Sequence, residues 1–128
     1  MTAYLTRDYW LPAEPEPVPG AALQDVEVSQ REISLILRDH GTVDGDRITV
    51  RINGVVAIAD HTLTGEGATI AVSLPDRTNT VEILALNEGS LSPNTVEVSI
   101  SDVVNGPSVQ LSSGLSTGAA ESFVIHAP

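Results

Sequence analysis

The chain has 128 residues with 41% apolar content, enough for one domain with its own core. Seventeen acidic residues stand against six arginines and no lysine, a net charge of −11, which disfavours binding to nucleic-acid phosphates or to anionic membranes. Cysteine is absent, so disulfides and thiolate metal sites are excluded. No apolar run approaches the ~18–20 residues of a membrane-spanning helix. Arg7, Asp8 and the prolines after them interrupt any apolar region of a secretory signal near the start. A place in a virion or an extracellular assembly is therefore expected to be reached without a signal in this chain.

The first twenty residues, MTAYLTRDYWLPAEPEPVPG, differ in kind from the rest. Three of the four aromatic residues of the chain (Tyr4, Tyr9 and Trp10) lie here, as do four of its eight prolines. The run AEPEPVPG is too rich in proline for a helix or a central strand and reads as a semi-rigid extended spacer. Before it, alternation puts Leu5, Tyr9 and Leu11 on one side and Tyr4 and Trp10 on the other. Residues 1–20 are thus read as an arm and 21–128 as one domain.

From Ala21 onward the pattern has period two. It begins at VEVS near Val26 and continues at Ile33, Leu35 and Leu37, then at Ile48, Val50 and Ile52. Asn53-Gly54 separates RITVRI from VVAIAD and is the strongest hairpin signal in the chain. The alternation resumes at Ile70, Val72 and Leu74, at Val81, Ile83 and Ala85, and at Val96, Val98 and Ile100. Val109 with Leu111 and Phe123 with Ile125 complete it. Turn residues cluster at 41–45, 65–67, 75–76, 87–93, 105–107 and 114–118. No stretch repeats apolar residues at helical spacing. About eight half-buried antiparallel strands predict an all-β sandwich, immunoglobulin-like or jelly-roll, without the Cys and Trp of a true immunoglobulin domain.

Asp39, Asp44 and Asp46 surround the Gly-rich turn of RDHGTVDGDRITVRING and are candidate oxygen ligands for calcium. The spacing is not that of an EF-hand loop. The plainer alternative is that Asp and Gly occupy these positions because turns favour them. DGDRITVRING, the L-T-G of Leu63 to Gly65 and ALNEGSLSPNT together resemble a β-sandwich module of bacterial surface, secreted and phage structural proteins. That resemblance covers roughly residues 33–100 and implies a structural or adhesive context. It implies no activity and no functional residue, because its motifs are turn signatures.

His40, His61 and His126 sit singly, without the spacing of a zinc site, and no nucleophile elbow surrounds any serine. No set of acid, base and nucleophile can be nominated, so a non-enzymatic protein is expected. With only Phe123 outside the arm, the domain also lacks aromatic platforms for sugars. Tyr4, Leu5, Arg7, Tyr9, Trp10 and Leu11 are the candidate partner-binding residues, being rich in the types that dominate interface hot spots. Two readings of them follow: the arm covers an edge of its own sandwich, or it grips another subunit. The expected role is an accessory subunit of a phage particle or a filament subunit, joined to further copies or to capsid, tail or filament proteins. The alternative is an adhesion or ligand-binding module, calcium-dependent through the Asp-rich turn.

Overall fold

The computed structural model describes residues 23–39, 45–87 and 94–128. Ten strands run in chain order: β1 (Val26–Val28), β2 (Glu32–Asp39), β3 (Arg47–Ile52), β4 (Val55–Thr62), β5 (Ala68–Ser73), β6 (Thr78–Ala85), β7 (Asn94–Ile100), β8 (Val103–Asn105), β9 (Val109–Leu115) and β10 (Ala120–His126). No helix occurs among the described residues, and therefore none long and apolar enough to cross a membrane. The strands form a six-stranded sheet of order β4-β3-β6-β10-β1-β8 and a four-stranded sheet of order β5-β2-β7-β9. The all-β sandwich expected from the alternation is the architecture found.

The rows of apolar residues at period two are the rows that meet between the sheets. Ile33, Leu35 and Leu37 of β2 and Val96, Val98 and Ile100 of β7 face Ile48, Val50 and Ile52 of β3, Val81, Ile83 and Ala85 of β6, and Phe123 and Ile125 of β10, all buried in one cluster. Each aliphatic side chain so buried contributes roughly 1.5–3 kcal/mol, so many of them close a core in which Phe123 is the one aromatic member among the described residues. The short β8 is a strand that neither the alternation nor the hairpin signal marks. It lies at the edge of the larger sheet, and two of its three residues are exposed.

Among the described strands only the β3–β4 hairpin stays within one sheet; every other consecutive pair of them belongs to opposite sheets. The hairpin turn has Asn53 at φ 52° and Gly54 at φ 83°, the left-handed pair that a two-residue hairpin matched to strand twist requires. Neighbouring strands pair antiparallel except β1 and β10, which run parallel with Val26 beside Ile125.

Candidate interaction surface

Two strand edges, β4 of the larger sheet and β5 of the smaller, bound one flank of the sandwich, and the space between them is incompletely filled. A groove of about 430 Å³ opens there, lined chiefly by Ile52, Val55, Val56, Ala71, Val72 and Pro75. Val55 pairs with inward-facing Ile52 yet is 70% exposed, and Val56 beside it is 53% exposed. Isolated exposed valines are ordinary; here two adjacent ones form an exposed apolar patch on the rim of an apolar groove. The sequence carried a signal for this feature: Val55 to Ala59 is an unbroken apolar run rather than an alternating one. On an edge strand such a run leaves apolar side chains on both faces.

The two edges differ. The register of β4 against β3 shifts twice, between Ile48 and Val50 and between Val50 and Arg51, each shift placing an extra residue on β4. Asp60 sits at φ 49° within this stretch, accepts a bond from Arg47 Nη1 at 2.5 Å, and has its amide bound to Thr49 Oγ1. Bulges and charge of this kind blunt an edge. β5 has neither: its six residues, ATIAVS, pair with β2 in unbroken register and include no charge and no proline.

The opposite flank holds the root of the N-terminal segment. Gln110 of β9 is buried, and its side chain accepts from the Gln24 amide at 2.9 Å and donates to the Gln24 carbonyl at 2.8 Å. An amide side chain thus serves as a strand partner for the backbone just before β1 and fixes where the chain leaves the sandwich.

The three motifs that carry the resemblance meet at one end of the molecule. The Asn87 side chain accepts from the Arg47 amide at 2.7 Å and donates to the Gly45 carbonyl at 3.1 Å, tying N-E-G to D-G-D. Leu63 of L-T-G is buried and donates its amide to the Asp46 carbonyl, while the Asp39 amide donates to Thr64. Asp39 and Asp46 therefore flank Leu63 and Thr64, and both are buried. Asp44 and His40 lie outside the described residues, as do Tyr4, Leu5, Arg7, Tyr9, Trp10, Leu11 and the whole of residues 1–22. Among the described residues no three His, Asp or Glu side chains gather in a metal-binding group.

The two described histidines do not come together. His61 lies on β4 opposite Ile48, whereas His126 ends β10 with Nε2 3.6 Å from Asp25 Oδ2. No known family model, curated protein or solved structure matches this chain.

Proposed function

We propose that this protein is a non-enzymatic structural subunit, an accessory component of a phage particle or a filament subunit, that joins neighbouring protein subunits through residues 4–11. The observation that carries the reading is the open apolar flank between β4 and β5, where exposed Val55 and Val56 border a groove. Contiguous apolar surface on a strongly acidic chain is what an assembly contact needs while the remaining surface keeps the protein dispersed. The arm supplies Tyr, Trp and Arg within seven positions, the side chains best suited to anchor such a contact.

Light scattering coupled to size-exclusion chromatography tests this on the full chain, on a chain lacking residues 1–20, and on a full chain with Tyr4, Tyr9 and Trp10 all changed to Ala. The core is built from residues 26–125, so all three are expected to fold. Self-association, or capture by assembly proteins, is expected for the first alone. Identical behaviour of all three would sink the reading.

A second reading, a calcium-dependent adhesion or ligand-binding module, is favoured by one observation: Asp39 and Asp46 are buried at the two ends of the Asp-rich turn. Calorimetric titration with calcium and a melt in chelator decide it. No heat and no change in the melt would remove this reading.

A further inference from the structure

We infer that residues 4–11 of a neighbouring copy add to β5 as a further strand and lay alternate side chains into the groove between β5 and β4. The inference rests on the arm reading above and names its acceptor. Of the two edges beside the groove, β5 is the one left open among the described residues: six uncharged residues in regular register, with Ala71 exposed at the rim. An unblunted edge of this kind is a template for another strand. Eight residues of arm would span about 26 Å as a strand against about 20 Å for β5, so the segment covers the edge completely. Its Leu5, Tyr9 and Leu11 share one side with Arg7 and suit the groove, whose volume of about 430 Å³ takes a few large side chains rather than a domain and whose lining includes polar Asn53 and Ser73. Tyr4, Thr6, Asp8 and Trp10, on the other side, would face outward, with Asp8 beside Ala71.

The place where the described chain begins favours a neighbour's groove. Gln24 is held to β9, on the flank opposite β4 and β5. β1 and β4 are four strand spacings apart, about 19 Å, and the straight line between root and groove passes through the sandwich. Residues 12–22 reach about 34 Å when extended, ample for a neighbour's groove without a detour over the sheet. Donor on one flank and acceptor on the other make a head-to-tail contact, which propagates as a chain or closes as a ring.

The absence of cysteine allows a clean test with full-length single-cysteine variants. Asp8→Cys is mixed with Ala71→Cys and treated with a short bis-maleimide; Ser122→Cys, exposed on the outer face of β10, replaces Ala71→Cys as the control. The expected product is an Asp8→Cys/Ala71→Cys heterodimer, absent with the control. Adding Val55→Lys or Val56→Lys to the acceptor should lower its yield about tenfold, as for loss of one buried valine-sized contact. Both positions are exposed, and melting curves verify that each variant folds. Equal cross-linking to the control overturns the inference, and so does a doubly substituted chain that closes only on itself. If truncation of residues 1–20 alters assembly but the heterodimer is missing, the acceptor is wrong and the arm reading stands. If neither occurs, both fall.

Discussion

Asn79 shows how much one buried amide can hold. Its side chain is fully buried, donates to the Asp76 carbonyl at 2.7 Å and to the Ile125 carbonyl at 3.2 Å, and accepts from the Asp76 amide and from Asn53 Nδ2. One residue thereby joins the turn before β6, the strand β10 and the β3–β4 hairpin. Asn79→Ala removes the partners of these groups at a buried position and is expected to cost about 3 kcal/mol in urea unfolding. Gly106 is constrained by close approach instead. It has φ +95°, and a Cβ there would stand 2.9 Å from the Asp25 carbonyl oxygen and 3.2 Å from Val26 Cα. Gly106→Ala must push the backbone of β1 away, so a loss of at least about 2 kcal/mol is expected. Faster hydrogen exchange at Val26 to Val28 would accompany it.

At the scale of elements, the pairs across strands do the local work. Arg38 on β2 lies opposite Glu97 on β7, and Nη2 approaches both carboxylate oxygens at 2.8 Å. The hydrogen bond donated to Glu97, and secondarily the charge of that carboxylate, raise the Arg38 guanidinium further above its ordinary range, so it stays charged at every working pH. Glu97→Gln is expected to destabilise the protein by about 1 kcal/mol, less in high salt, because the arginine is partly exposed and screened. Chemical denaturation at two ionic strengths measures both effects. The strands themselves were legible because Ile33 to Leu37, Ile48 to Ile52 and Val81 to Ala85 place alternate apolar side chains on one face, and burial follows that alternation. β8 was not, since three residues at an edge with two of them exposed leave no period to read. The parallel pairing of β1 with β10 was not either. Partner choice depends on side chains almost the full chain length apart, which no local pattern encodes.

For the whole molecule, the alternation across sheets has a kinetic consequence. Eight of the nine steps between the described strands pass to the opposite sheet, so most pairings within a sheet join strands distant in sequence. Folding dominated by such distant pairings is slow, and a refolding time in the range of ~ms to s is expected in stopped-flow dilution from urea. Submicrosecond to microsecond recovery would contradict this topology. The candidate surface was only half legible. Arm composition named one side of the proposed contact, residues 4–11, and the run from Val55 to Ala59 hinted at the exposed apolar flank. That β5 rather than β4 is the open edge emerges only from register, through the two bulges on β4. The Asp-rich turn was read as a ligand set or as turn chemistry; Asn87, bridging Gly45 and Arg47, ties that turn into the sandwich whichever reading holds.

The parallel neighbours β1 and β10 also decide how the protein answers a pull. Tension applied between the segment before β1 and the residues after β10 would draw these strands past each other along their own axes. Their hydrogen bonds, and the seven-residue pairing of β10 with β6, would be loaded together in shear rather than peeled open one at a time. Resistance to force of this kind is governed by the rate of unfolding rather than by equilibrium stability. A row of such subunits linked end to end would behave as a series of stiff elements that give way abruptly, one domain at a time.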